Sequence, residues 1–372
     1  MTAFESLISG EKRGPAASLA RGGLRITGFL YGRVMAVRNA YYDTWAMPAW
    51  LDVPVISVGN LTVGGTGKTP MTIWLCERML ERGRKPAVLS RGYKATQEGL
   101  ADELLLVSRR VPQAVAVAHA DRLQAGRLAS EQYQARVAIL DDGFQHRRLG
   151  RDLDIVLVDA TRPFGYGHIL PGGLLRERIS SVRRADAVVI TRADQADASE
   201  IASIERRIRE WNRHAPIVRA VHEPSGFADL AGSPVDRPAC KRIGAIAGIA
   251  RPEAFVRTLA DLGLPPAATA FYPDHYAYVA ADVERIAVWA RDEKLDCLLT
   301  TEKDAVKVSR LNGDWTVPVF SLGIRMKMLD DGERVLMELI DRMLAEHEDE
   351  PNSAAERQEE QGDGRSAQEE GE

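Results

Sequence analysis

The chain has 372 residues, 45% of them hydrophobic and 27% charged, with a formal net charge of −4. That is the make-up of an ordinary globular protein too long for one compact domain. The three cysteines, Cys76, Cys240 and Cys297, are far apart and form neither a metal cluster nor a plausible disulfide framework, which fits a reducing compartment and argues against zinc. No apolar run is long enough to cross a bilayer and the first residues lack the apolar core of a signal peptide, so a cytoplasmic protein is expected.

Residues 12–42 carry six cations (Lys12, Arg13, Arg21, Arg25, Arg33, Arg38) and no acid. They are interleaved with Leu24, Ile26, Phe29, Leu30, Tyr31, Val34, Met35, Val37, Tyr41 and Tyr42. On a helix at about 100° per residue, Arg21, Arg25 and Arg33 share one side and most apolar residues the other, with Phe29 and Arg38 out of pattern. Two readings stay open: a basic amphipathic helix in the headgroup layer of an anionic membrane, or a helix packing its apolar face on the domain.

An apolar strand beginning at Val55 then runs into a glycine-rich loop that ends Gly67-Lys68-Thr69 and opens a helix over Met71 to Arg82. Gly64, Gly65 and Gly67 let consecutive backbone N–H groups curl around an anion, and the helix N-terminus adds partial positive charge at the same spot. Lys68 would reach the β/γ-phosphates and the Thr69 hydroxyl a Mg²⁺ ion. A nucleotide-phosphate site over Thr62, Val63, Gly64, Gly65, Thr66, Gly67, Lys68 and Thr69 is predicted, although a strict P-loop has glycine where this chain has Thr62.

Short apolar runs then alternate with helical stretches: strands are expected at Ala87–Ser90, Leu104–Val107, Val115–Val117, Val137–Leu140, Ile155–Val158 and Ala187–Thr191, and helices at Asp121–Gln134 and Ser199–Arg213. This is the rhythm of a parallel sheet with helices on both faces. The strand at Val137 delivers Asp141 and Asp142 at its carboxyl end, where open α/β sheets bind ligands and P-loop proteins hold Mg²⁺; an Asp-Asp-Gly turn is the plain alternative. Arg162 to Glu177 is a long loop that would close over a substrate, with Arg176 on a phosphate. Thr191-Arg192-Ala193-Asp194 is close to the signature by which GTPases read guanine, or is a turn capping the next helix.

Pro224, Gly226, Gly232, Pro234 and Pro238 interrupt the pattern and mark the expected domain boundary. A second α/β unit follows, with a strand at Ile243, a helix over Pro252–Leu262, and strands at Cys297–Thr300 and Val317–Phe320. A last helix, Gly332–Ala345, precedes a tail. In this unit Asp274-His275 and Glu302-Lys303-Asp304 lie between secondary elements, where Lys303 could face a cleft. Residues 346–372 carry eleven Asp/Glu against two Arg, a composition expected to stay disordered. The organisation read from the chain is therefore 1–50 a basic amphipathic segment, 51–225 a P-loop core, 226–240 a linker, 241–345 a smaller α/β domain and 346–372 the acidic tail.

Six ordered segments together resemble one family, the tetraacyldisaccharide 4'-kinases (lipid A 4'-kinases) of Gram-negative bacteria. They are Ser57 to Pro70, Ser90-Arg-Gly-Tyr93, Asp141-Asp-Gly-Phe-Gln-His146, Arg162-Pro-Phe-Gly165 with Leu170-Pro171 and Arg176-Glu177, Phe271-x-x-Asp274-His275, and Thr301-Glu-Lys-Asp304. They span roughly residues 22–345. The resemblance implies transfer of the ATP γ-phosphate to the 4'-hydroxyl of a tetraacylated glucosamine disaccharide 1-phosphate on the cytoplasmic face of the inner membrane, which favours the membrane reading of the N-terminal helix. In the family a carboxylate and a histidine from opposite domains activate the acceptor hydroxyl. They match Asp102 and His275, although the family's Gly-Asp-Glu-Pro reads Ala101-Asp102-Glu103-Leu104 here and the segment after Tyr93 is shorter.

The implied catalytic set is Lys68, Asp102, His275 and Arg176, and the metal sphere Thr69, Asp142 and Gln145 with Asp141 and Glu177 beside them. Closure of the cleft between domains would complete the site. Nothing in the sequence calls for nucleic acid or an obligate protein partner. The rival readings are a P-loop GTPase or metallochaperone and a nucleotide-dependent membrane-surface module. Against the metallochaperone stand the missing His/Cys clusters and Val63, where dimerising ATPases carry a second lysine.

Overall fold

The computed structural model describes residues 3–91, 102–311 and 313–349. The expectations for Gly92, Tyr93, Ala101 and the tail beyond Asp349 concern residues outside that range. The chain opens with helices α1 (Ala3–Ile8) and α2 (Pro15–Thr44), then alternates through β1 (Val55–Asn60), α3 (Lys68–Glu81), β2 (Pro86–Ser90), α4 (Asp102–Arg110), β3 (Val115–Ala118), α5 (Arg122–Glu131), β4 (Val137–Asp141), β5 (Leu153–Asp159), β6 (Ala187–Thr191) and α6 (Ala198–Arg209). There follow β7 (Ile217–Asp229), β8 (Pro234–Val235), β9 (Ile243–Ala247), α7 (Pro252–Asp261), β10 (Ala268–Phe271), α8 (Ala280–Asp292), β11 (Cys297–Thr301), α9 (Glu302–Val308), β12 (Val319–Met328) and α10 (Gly332–Asp349).

The strands form one 12-stranded sheet in the order β10-β9-β11-β12-β7-β6-β5-β1-β4-β2-β3, with β8 beside β7. The expected mostly parallel α/β architecture with flanking helices is borne out. Strands β1, β4, β5 and β6 are buried at every position, as a sheet covered on both faces requires. Alternate residues of β5 serve two cores. Leu153, Ile155 and Leu157 pack with α3, α4 and α10, while Val156 and Val158 pack with Ile201, Ile204 and Ile208 of α6. Each such branched side chain contributes about 1.5–3 kcal/mol when removed from water.

The stretch containing Pro224 and Gly226 is built into the sheet, so that within the expected linker over 226–240 the residues up to Asp229 and the pair Pro234–Val235 are strand. β7 starts level with β6, Ile217 opposite Val188, and runs on to Asp229, where it pairs antiparallel with Phe320 at the start of β12. A bulge beside the Gly226–Gly323 pair bends this ribbon. β12 returns toward β6, and β11, β9 and β10 run parallel with it. The carboxyl ends of the two parallel groups therefore face each other across a cleft, which brings residues after β1, β4, β5 and β6 opposite those after β9, β10 and β11.

Several local expectations change. Leu104–Val107 is helix, not strand: all four are buried because α4 is wedged against α3, α9 and β3, and a helix covered on most sides reads as a continuous apolar run. Asp102 and Glu103 in its first turn and Arg109 and Arg110 in its last complement the helix dipole. The last helix extends past Ala345 to Asp349. Cys240 and Cys297 form a disulfide, with Cα atoms 6.2 Å apart across a separation of 57 residues, contrary to the reading of three unconnected thiols. The pairing of β9 with β11 makes this contact by setting Cys297 opposite Ile243, so the spacing in sequence could not reveal it.

Helix α2 inverts the usual surface helix. Its buried residues are Ala17, Gly28 and Gly32, while Leu19, Ile26, Phe29, Leu30, Val34, Val37 and Tyr41 are exposed. A Cβ at Gly28 would meet the Ile169 carbonyl oxygen at 2.6 Å, so the helix docks through a bare glycine face and most of its large apolar side chains stay in solvent, Leu24, Met35 and Tyr42 being half-buried. The reading in which the apolar face packs on the domain is thereby overturned. Among the described residues no helix is long and apolar enough to cross a membrane.

Candidate active site

One wall of the cleft is built by the loop between β1 and α3. Gly67 has φ 95, and a Cβ there would meet His222 Nε2 at 2.6 Å, so only glycine fits. Thr191, at the end of β6, donates its hydroxyl to the Thr66 carbonyl at 2.9 Å and braces the loop from beneath. Lys68 Nζ lies 3.3 Å from Asn60 Oδ1 and 3.4 Å from Asp142 Oδ1. One Arg176 nitrogen spans both oxygens of that carboxylate at 2.8 and 2.7 Å and reaches Gln145 Oε1 at 3.3 Å. Gly64 to Thr69 all line the cleft.

β4 ends at Asp141, and Asp142 turns into the left-handed region with φ 57. Asp141 is buried and its Oδ1 has no hydrogen-bond partner; burial pushes its pKa up to about 6 despite the opposing charge of Lys68. Asp142 is also pushed up by burial, but the charges of Lys68 and Arg176 outweigh that and hold it below the usual carboxylate range. An orphaned carboxylate oxygen next to a second carboxylate, in a cleft that Thr69 with its hydroxyl also lines, is a hard-oxygen donor set that fits Mg²⁺. Among the described residues no group of three His, Cys, Asp or Glu forms a closed metal cage. Thr69, Asp141 and Asp142 could hold a Mg²⁺ ion only together with phosphate or water, the usual manner for that ion.

The facing wall joins α4, α9 and the loop after β10. His275 has φ 58, and its Nδ1 lies 3.5 Å from Asp102 Oδ2. Its Nε2 is 3.6 Å from Glu103 Oε1 and 3.3 Å from Lys303 Nζ. Lys303 pairs with Glu103 at 3.0 Å and Lys307 with Asp102 at 2.9 Å, while Arg110 and Glu302 clamp the same two helices at 2.7 Å. Burial would raise the Asp102 pKa, but hydrogen bonds from His275 and Lys307 and the charges of both lysines hold it low. The cleft has a volume of about 1060 Å³, and ten Lys/Arg line it against five Asp/Glu, an excess suited to a polyanion.

A family model for tetraacyldisaccharide-1-P 4'-kinase (LpxK) matches residues 21–345. The chain belongs to the tetraacyldisaccharide 4'-kinase family. A tetraacyldisaccharide 4'-kinase from Geobacter sulfurreducens is 40% identical over 353 residues, covering 88% of this chain and 95% of that protein. One from Anaeromyxobacter dehalogenans is 36% identical over 328 residues, covering 83% and 86%. A crystal structure of LpxK from Aquifex aeolicus in complex with ATP matches with a TM-score of 0.68 at 30% identity, covering 87% of this chain and 99% of that one.

Some residues nominated from the sequence lie elsewhere. Glu177 is fully buried away from the cleft and bonded to Asn39, Ser181 and Arg184, which suits an anchor for α2 rather than a metal ligand. The Thr62 carbonyl accepts from Asn60 and the Val63 N–H is spent on Leu174, so both sit at the base of the phosphate loop and outside the cleft lining. Asp194, the guanine-reading candidate, is in an exposed 3-10 turn. Arg192 instead turns back to Asp159, which Arg251 also reaches at 3.1 Å from the other half.

Other site residues were not singled out in the sequence. Glu103 and Lys307 belong to the His275 wall, and their only local signals are adjacency to Asp102 and an i,i+4 spacing from Lys303. Arg122, buried at the start of α5, donates to the carbonyls of His119 and Ala120 at 3.3 Å each and faces the cleft with Arg91 and Arg148. No motif flags it.

Proposed function

We propose that this protein is an ATP-dependent kinase that phosphorylates the 4'-hydroxyl of a tetraacyldisaccharide 1-phosphate, a step of lipid A biosynthesis, at the cytoplasmic face of the inner membrane. The observation that carries this reading is the opposition of two walls in one cleft, a phosphate loop with Lys68 and the Asp102–His275 pair. A sugar hydroxyl is a poor nucleophile, and a positioned base that takes its proton contributes typically 10²–10⁴-fold. His275 lines the cleft and Asp102 sits behind its Nδ1, an arrangement in which the imidazole meets the hydroxyl and the carboxylate stabilises the charge that forms.

On the donor side, the backbone of Gly64 to Thr69 binds the triphosphate and Lys68 neutralises charge that develops on the transferred group. Thr69, Asp141 and Asp142 would hold Mg²⁺, which supplies further charge neutralisation when bound. Arg176 keeps Asp142 ionised and oriented, and Gln145, which donates to the Asn60 carbonyl at 2.9 Å, stiffens the same corner.

The membrane association rests on α2. Its exposed apolar stripe suits burial in the headgroup and acyl boundary, and Arg25 and Arg33 suit anionic lipid. Tyr31, Met35, Arg38 and Tyr42 of the same helix line the cleft, so a lipid-anchored sugar would reach the site along the helix that docks on the bilayer. The test is incubation with γ-labelled ATP or GTP and detergent-dispersed tetraacyldisaccharide 1-phosphate. Label transferred to the lipid from ATP supports the kinase. Hydrolysis of either nucleotide that ignores the lipid overturns it in favour of a GTPase or a binding module.

A further inference from the structure

Helix α9 carries two lysines one turn apart with different surroundings. Lys303 lines the cleft. Lys307 does not: its side chain is 7% exposed and lies behind Asp102, 2.9 Å from Oδ2. From there it also donates to the Tyr276 carbonyl at 3.3 Å, the residue that follows His275, and its ammonium stands 6.0 Å from the Tyr278 ring centroid. One ammonium thus touches both sides of the Asp102–His275 pair, the carboxylate through an ion pair and the histidine's loop through a backbone carbonyl, without access to the substrate.

We propose that Lys307 is a positioning residue for hydroxyl activation, fixing Asp102 against His275 and supplying the counter-charge on the buried side of its carboxylate. The inference rests on the proposed role of that pair. A purely structural salt bridge would serve to tie α9 to α4, but that tie is already made by Arg110–Glu302 at 2.7 Å and Lys303–Glu103 at 3.0 Å. What Lys307 alone supplies is positive charge on the buried side of Asp102. The charged groups that face this carboxylate are Glu103 on its own helix, Lys303, Lys307 and Asp304 on α9, and Asp274 and His275 on the loop after β10. Asp304 Oδ1 lies 3.7 Å from Lys307 Nζ while its Oδ2 takes the Gly248 N–H and the Thr301 hydroxyl, but Asp102 Oδ2 is the nearer carboxylate oxygen at 2.9 Å. Lys307 therefore remains the direct counter-charge of Asp102.

Burial favours the protonated carboxyl, and an opposite charge in contact lowers such a pKa by about one to three units. Without Lys307 the buried Asp102 carboxyl takes up a proton more readily. The acid limb of kcat/KM for the lipid acceptor then moves to higher pH.

The experiment compares the full-length wild type with Lys307→Met, Lys307→Arg and Arg110→Met across pH 5 to 9. Lys307→Met should lower kcat about 10–100-fold, leave KM for ATP within about twofold, and move the acid limb up by about one pH unit or more. Lys307→Arg should return the limb to within about half a unit of wild type, and Arg110→Met should lower thermal stability without moving the limb. A Lys307→Met protein that retains cooperative unfolding and ATP binding but shows an unmoved limb overturns the proposal. If Lys307→Met fails to fold, the folded Lys307→Gln variant carries the same expectation and the same refutation. Asp102→Asn and His275→Ala run in parallel: if they keep kcat, the proposed base is wrong, whereas if they lose it while the limb stays in place without Lys307, only the present inference falls.

Discussion

The two walls of the cleft are assembled by opposite means. The phosphate-loop wall is local: Asn60 to Thr69 are contiguous, and in the proposed function backbone N–H groups with one lysine would do most of the binding. The His275 wall draws on Asp102, His275, Lys303 and Lys307, which meet only because β7 and β12 turn the second parallel group back on the first. A donor anchored by backbone tolerates little change in loop shape, whereas an acceptor base built from side chains on three elements depends on their mutual charge. The walls should therefore fail differently when altered.

The largest expected loss is on the local wall. Lys68→Met should lower kcat/KM by about 10³-fold, from lost charge neutralisation on the transferred group, measured by label transfer from γ-labelled ATP. A loss under about tenfold would deny Lys68 that role. On the facing wall, Asp102→Asn and His275→Ala should each cut kcat by about 10²–10³-fold while ATP affinity, measured by calorimetry, changes less than about twofold. Weakened nucleotide binding in these variants would blur the division between the walls.

A smaller effect concerns delivery of the acceptor. Phe29→Glu combined with Val37→Glu on the exposed stripe of α2 should reduce binding to anionic vesicles about tenfold or more, with turnover of detergent-dispersed acceptor much less affected. Equal loss in both assays would assign these residues to the cleft instead. The smallest effect is on stability. His222 Nε2 is inaccessible beneath Gly67, and burial, with the charge of Arg192, pushes its pKa down to about 3. The native state holds this ring neutral while the unfolded chain protonates near pH 6.5. Stability is therefore full above that pH and falls by up to about 1.4 kcal/mol per pH unit below it, down to about pH 3. Thermal melts between pH 7 and 5 should show a shallower decline for His222→Phe; an identical slope would remove His222 from the account. His146, pushed down to about 4 by burial and its arginine neighbours, contributes in the same direction.

The contrast also explains what could be read from the chain alone. The phosphate loop, the strand leading to Asp141 and Asp142, and the alternation of strands and helices are patterns of neighbours, and apart from Leu104–Val107 they appear as expected. The Asp102–His275 contact was available only through family resemblance, since its 3.5 Å separation is a product of sheet topology. The same holds for the disulfide between Cys240 and Cys297. Leu104–Val107 misled because burial on several sides erases helical periodicity. Glu177 misled because it follows Arg176, yet the chain turns between them and sends one side chain to Asp142 and the other inward to Arg184 and Asn39. In α2 the charge pattern was legible, but not that two glycines would make the docking face and leave the large apolar residues outside.

The central claim is that Asp102 and His275 act as one device opposite the phosphate loop. Its most direct test is a double-mutant cycle on kcat with ATP and the lipid acceptor saturating, using Asp102→Asn, His275→Ala and the two combined. Residues that work as a unit are strongly non-additive, so the double variant should be within about threefold of the slower single variant. Losses that multiply to the product of the two singles would contradict it.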